Sequence, residues 1–137
     1  TRQDILSQLE EFRTAFTLVR SRADQLETSL QELITKRFEQ LLGDGYDENR
    51  VLAEVAVMLV KYSIHEELSR IDSHLEQFRQ MISQPGASGK RLDFLCQELN
   101  REVNTIASKS TMAEVNQAVV AMKDHLENMR EQLRNVE

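Results

Sequence analysis

The 137-residue sequence has no tryptophan, one proline, one cysteine and four glycines, and aromatic side chains make up only 5% of it. Each scarcity closes off a class of protein. Runs of β-branched and aromatic residues that would build strands are missing, whereas Leu, Glu, Gln and Arg, all good helix formers, abound. The lone Cys96 excludes an intrachain disulfide and a cysteine-built zinc site and gives no sign of an oxidising compartment, so a cytoplasmic setting is expected. The longest uncharged apolar run, Val55–Val60, falls far short of the roughly 20 residues a membrane span needs, and no secretory signal pattern opens the chain. No P-loop, dinucleotide-binding glycine pattern, C-x-x-C, H-E-x-x-H or nucleophile elbow is present.

What is present is helical periodicity on the scale of one domain. Ile5, Leu9, Phe12, Phe16, Val19, Ala23, Leu26, Leu30 and Leu33 alternate three and four residues apart, which predicts a long first helix over about 3–42 with a coiled-coil-like seam. Gly43-Asp44-Gly45 supplies a C-cap and turn. A second helix over 47–61, capped by Asp47 or Asp44, carries Val51, Leu52, Val55, Leu59 and Tyr62. Ser63-Ile64-His65-Glu66 reads as a capping box that restarts the chain as a third helix over 64–83, with Ile64, Leu68, Ile71, Leu75, Phe78 and Ile82 inward. The loop at 84–89 holds the only proline. A fourth helix spans 90–108, and a second capping box at Thr111–Glu114 opens a fifth over 112–135, with Val115, Val119, Met122, Leu126, Met129, Leu133 and Val136 in its stripe. The expected fold class is an all-α helical bundle, a single domain that forms the C-terminal part of a longer protein. The first helix is too long for one short partner, so it should pack on two helices or on another subunit.

The net charge is −6, which argues against bulk electrostatic binding of nucleic acid. The charge is uneven: residues 90–109 sum to +1, whereas 1–42, 43–89 and 110–137 sum to −1, −4 and −2. That exceptional stretch reads KRLDFLCQELNREVNTIASK. Leu92, Leu95, Leu99, Val103 and Ile106 form its buried face, while Arg91, Glu98, Glu102, Thr105 and Lys109 share one flank at the edge of the core. Glu67, Arg70 and His74 take a similar flank on the third helix, and Glu54 is a lone acid within Val51–Val60. By pattern alone an ordinary solvated surface with helical ion pairs accounts for these residues. If the flanks converge, Glu54, Glu67, His74, Glu98 and Glu102 would offer hard oxygen donors and one imidazole, suited to Mg²⁺ or Mn²⁺.

The runs GKRLDFLCQELNREVNTIASKS (89–110), DENRVLAEVAV (47–57), IHEELSRIDSHLEQFR (64–79) and the ending MKDHLENMREQLRNVE together resemble the C-terminal helical region of the YicC-like bacterial proteins, in order over about 45–137. Cys96 stands where that family usually has Leu, Ala107 where Gly is usual, and Lys61-Tyr62-Ser63 replaces a small-and-acidic lead. The resemblance implies a divalent-metal-dependent endoribonuclease acting on single-stranded RNA and assembling as a homo-oligomer, a hexamer for full-length members, with neither membrane nor DNA as partner. It makes Glu98, Glu102 and His74 the expected catalytic and metal-binding residues, with Glu54 or Glu67 as further ligands. Arg70, Arg101, Asn104, Thr105 and Lys109 become the expected RNA contacts. The alternative is a helical oligomerisation module, with RNA binding and catalysis residing mainly in an N-terminal domain outside this sequence.

Overall fold

A computed structural model describes residues 2–136 and the side chains up to residue 135. Six helices account for nearly all of it: α1 (Arg2–Ser21), α2 (Ala23–Leu42), α3 (Glu48–Tyr62), α4 (His65–Ile82), α5 (Gly89–Lys109) and α6 (Ala113–Val136). No strand occurs among the described residues. The long first helix is therefore a rod with one break. At Arg22 the backbone shifts to φ −101°, ψ −1°, and the Arg22 amide bonds the carbonyl of Val19, three residues back, instead of continuing the α ladder. The Ser21 hydroxyl caps the Leu18 carbonyl at 2.6 Å, a back-bond of the kind that bends helices.

The second rod, α3 followed by α4, is broken at the same level. Ser63 is extended (φ −65°, ψ 140°), and its hydroxyl accepts from the His65 amide at 3.3 Å. The expected capping box is only half formed, because the Glu66 side chain is drawn away by Arg70 one turn further on. At the start of α6 the cap comes from Ser110, whose hydroxyl accepts from the Met112 amide at 3.2 Å, while Glu114 pairs with Arg22 on the other rod. Asp47 caps α3 through the Asn49 amide at 3.0 Å, and Gly43 closes α2 at φ 68°, a conformation for which a side chain would be strained.

Below the two breaks lies an antiparallel four-helix bundle in which α1, α4, α5 and α6 are packed in a ring. Ion pairs from Arg79 to Glu10 and from Arg20 to Asp72 join α4 to α1, and Gln8 meets His125 Nδ1 at 2.7 Å between α1 and α6. One continuous core runs from Ile5 through Phe12, Phe16, Phe78, Leu99 and Met122 to Leu133. The inward stripes read from the sequence for α4, α5 and α6 are all buried, apart from Val136, whose side chain lies outside the described residues. Cys96 packs within this core, and burial pushes its thiol up to about 12, so it remains a protonated apolar filler.

Above the breaks, α2 and α3 leave the bundle as an antiparallel arm with a separate, small core of Leu30, Ile34, Val51 and Val55. Here the expected seam changes register. Leu33 is 46% exposed and Ile34, at 9%, takes its place, because the arm offers α2 one partner rather than several. Leu52 is likewise exposed.

The two cores should differ in stability. Replacing Phe78 by Ala in the bundle is expected to cost about 3–5 kcal/mol in urea unfolding, while hydrogen exchange should open the amides of Leu30–Val55 well before those of α5 and α6.

Candidate functional site

The polar flank of α5 faces α4. Lys109 Nζ donates to the Glu67 carboxylate and, at 3.0 Å, to the carbonyl of Ser63; Arg70 lies 3.6 Å from Glu102 Oε1; Arg101 lies 3.8 Å from Glu98 Oε1 on the same helix. The antiparallel register that pairs Glu67 with Lys109 and Arg70 with Glu102 sets His74 level with Glu98. Glu67 and Glu102, 3% and 6% exposed, are the two buried charged residues among those described. The result is a ladder in which each carboxylate meets a cation, with two buried atoms left over, Glu67 Oε2 and His74 Nδ1, that have no hydrogen-bond partner.

Seven of the sequence-chosen residues, Glu67, Arg70, His74, Glu98, Arg101, Glu102 and Lys109, thus belong to this one interhelical strip. Glu54 does not join them. It is exposed on the arm, nine residues before Ser63 or about 14 Å along the helix axis, and lines a hollow of about 430 Å³ with Phe38, Tyr46 and Arg50. Nor do Glu67, His74, Glu98 and Glu102 bring three donor atoms to one point. Among the described residues a single group of three acidic or imidazole side chains has its donor atoms within 4.8 Å of one another, Asp24, Glu27 and His65, at the level of the two breaks.

Asn104 turns away from this flank toward α6, and Thr105, about 20° round the helix from Glu98, stands on the border between the two faces. With Gln97, Asn100, Arg101, Ser108 and, from α6, Arg130, they line an open groove of about 520 Å³. The lining is amide, hydroxyl and guanidinium, with no carboxylate. Thr105 and Ser108 donate their hydroxyls to backbone carbonyls of α5, leaving their oxygens as acceptors, and neither Asn100 nor Asn104 uses its amide within the described structure. At the groove's edge Arg130 Nε donates to Asp93 Oδ1 at 2.8 Å, and Gln97 donates to the other oxygen at 2.9 Å. These bonds, the one from Arg130 foremost, hold the Asp93 carboxyl below its ordinary value. Gln97, Asn100, Arg101, Asn104 and Ser108 recur at helical spacing, so this stripe was readable in the sequence, whereas Arg130 reaches it only through the packing of α6 on α5.

The fold and these surfaces define an all-α domain, a four-helix bundle bearing a two-helix arm. The chain belongs to the YicC-like family: the family model described as "Endoribonuclease YicC-like, C-terminal" matches residues 19–137. It is 43% identical over 109 residues to a protein of Clostridioides difficile called "Probable endoribonuclease YicC", covering 78% of this chain and 37% of that protein. It is 36% identical over 137 residues to a protein of the same name from Haemophilus influenzae, covering 98% of this chain and 47% of that protein. The chain thus spans less than half the length of the curated relatives it matches. No described helix is long and apolar enough to cross a membrane.

Two outcomes follow for the charged pairs. Asp93 has its pKa depressed in the fold, so its contribution is present above the ordinary carboxylate value of 3.8 and fades as pH falls through the lowered one; Asp93→Asn should cost no more than about 1 kcal/mol near pH 7, and the cost should shrink as the pH is lowered below 3.8. Glu67→Gln, which strips the Lys109 ammonium of its carboxylate, should cost about 2–4 kcal/mol in chemical denaturation, and Glu67→Leu with Lys109→Met should recover at least half of that.

Proposed function

We propose that this chain is the C-terminal helical region of a cytoplasmic, divalent-metal-dependent endoribonuclease acting on single-stranded RNA. The observation that carries the reading is the two-sidedness of α5: an open groove free of carboxylates on its outer face, and an ion-pair ladder with orphaned donors on its inner flank. Both relatives are named for endoribonuclease activity, which supports RNA as the substrate class.

Within the groove, Arg101, largely exposed and only loosely held by Glu98, can swing to a phosphate. Asn100 and Asn104 have amides free to meet base edges or ribose hydroxyls, and Thr105 adds an acceptor. Lys109 lies deeper, where it neutralises Glu67, while Arg70 is exposed and shared between Glu66 and Glu102, so the effect of both on RNA is chiefly to fix the carboxylates in place. A Mg²⁺ or Mn²⁺ ion would be held by Glu98, Glu102 and the unpartnered His74 Nδ1 once their side chains turn toward one point, and Glu67, about two helical turns from His74, would lie outside that shell. When bound, it supplies Lewis-acid stabilisation of phosphoryl charge and a water of lowered pKa. Glu98, half-buried at the mouth of the strip beside Arg101, stands where a carboxylate can take a proton while the guanidinium steadies the phosphate.

A second surface supports self-association. Seven of the ten large exposed apolar side chains lie on the arm, among them Leu41 at 79% and Val60 at 81%. A homo-oligomer built through this arm would place several α5 grooves around a common axis, consistent with the hexamer expected of full-length members.

In the full-length protein, Glu98→Gln should lower cleavage of single-stranded RNA at least about a hundredfold with the melting temperature unchanged, and EDTA should do the same to the unaltered protein. Arg101→Ala should weaken RNA binding and reduce the slope of log affinity against log salt by about 0.7, one phosphate contact. Undiminished cleavage in the Glu98 variant would overturn the assignment.

A further inference from the structure

The level at which both rods break is a junction between the bundle and the arm, and it gathers side chains that the RNA reading does not use. Asp24 and Glu27 lie in the first turns of α2, three residues apart on one face, and His65 opens α4 opposite them. His65 Nε2 is 3.1 Å from Glu27 Oε1 and 3.9 Å from Asp24 Oδ1. Around a divalent ion with bonds of about 2.1 Å, neighbouring donors stand roughly 3.0 Å apart in octahedral and 3.4 Å in tetrahedral geometry. Glu27 and His65 therefore already stand at coordination spacing, and the exposed Asp24 carboxylate, within 4.8 Å of both, has to rotate inward to complete the set. One imidazole with two carboxylates suits the borderline transition ions, whereas Mg²⁺ prefers an all-oxygen, water-rich shell.

The surroundings fix these ligands as a metal site requires. Ser63 donates its hydroxyl to Glu27 Oε1 at 3.1 Å, and that same hydroxyl accepts from the His65 amide, so one side chain orients both a carboxylate and the backbone of the imidazole ligand. The Ser63 carbonyl is held in turn by Lys109. The charged groups facing the site are few: Lys109 has its charge met by Glu67, Arg22 is turned to Glu114, and Glu66 is taken by Arg70. No cation within these pairs is left free to occupy the place of an ion.

We propose that Asp24, Glu27 and His65 bind a divalent transition-metal ion, Zn²⁺ or Mn²⁺, that braces the base of the α2–α3 arm against the bundle. The ion ties the first turn of α2 to the first turn of α4, the two places where the rods change direction. The site is separate from the α4/α5 ladder and does not rest on the RNA reading.

Isothermal titration of the chain with Zn²⁺ and with Mn²⁺, against Mg²⁺ as reference, tests it. One transition ion per chain is expected beyond any held by the ladder, with a rise in melting temperature of at least about 4 °C at a hundredfold excess over Kd that Mg²⁺ does not match. His65→Ala and Glu27→Gln should each weaken binding of this junction ion at least tenfold, and His74→Ala should leave the junction ion in place whatever it does to an ion on the ladder; circular dichroism of each variant checks the fold. Loss in His74→Ala but not in His65→Ala would place the ion on the ladder and overturn the assignment. Equal binding by all three variants, or none below millimolar ion, would overturn it as well. Hydrogen exchange of α2 and α3 that does not slow when the ion is added would overturn the bracing role.

Discussion

The contact on which the architecture turns is the one Lys109 makes between the two halves of the second rod. Where α3 ends at Ser63 its last carbonyls lose their helical partners and carry the negative end of the helix dipole; where α4 begins, two residues later, free amides carry the positive end. Lys109 places an ammonium on the Ser63 carbonyl and Glu67 places a carboxylate in the first turn of α4, so a single ion pair complements both dipoles. A buried pair of this kind gains little net stability, since desolvation consumes most of the Coulomb energy. What it specifies is position: the second rod breaks at Ser63 because the end of α5 supplies the cation there.

From that constraint the division of the molecule follows. The bundle keeps the large core and strict periodic stripes, and the arm keeps four buried residues and an apolar exterior. The matching break at Arg22 lets the first rod bend alongside the second, and Arg22, held by Glu114, ties that bend to the start of α6. Only the base of the arm, Ala23 and Leu26 of α2, packs in the bundle core, and beyond it the arm relies on its own small core, which makes it an element of lower local stability.

How much of this the sequence carried depends on whether a feature is local. The stripes of α4, α5 and α6 were legible because each helix keeps one set of neighbours along its length. The seam of the first rod was legible as far as Leu30 and then misled, since Leu33 continues the heptad arithmetic but the arm removes the second partner that would bury it. The break at Arg22 carried no glycine or proline to announce it. The α5 flank could be located by helical geometry, and its counterparts on α4 with it, but that Glu67 meets Lys109 while Arg70 meets Glu102 depends on the register of two helices forty residues apart. Glu54 was grouped with them on residue type alone, and the break at Ser63 carries it away up the arm. Asp24, Glu27 and His65 escaped notice because no single helix holds them: two lie on the first rod and one on the second, and only the packing of the rods brings them together.

On the proposed reading, a net charge of −6 has to be reconciled with a polyanionic substrate. The acidic excess is not spread evenly over the surfaces an RNA would meet. On α5 the carboxylates of Glu98 and Glu102 face inward or pair with cations, and the outer groove presents none. Attraction at long range is therefore weak, and what the groove offers instead is short-range hydrogen bonding to a strand whose bases are unpaired. Under the proposed reading such a surface would favour single-stranded over duplex nucleic acid without reading sequence strongly. Because one groove offers few cations, useful affinity for RNA would call for several copies acting on one strand, which is the arithmetic of effective concentration, and on the proposed reading the apolar exterior of the arm would matter as much as the groove itself.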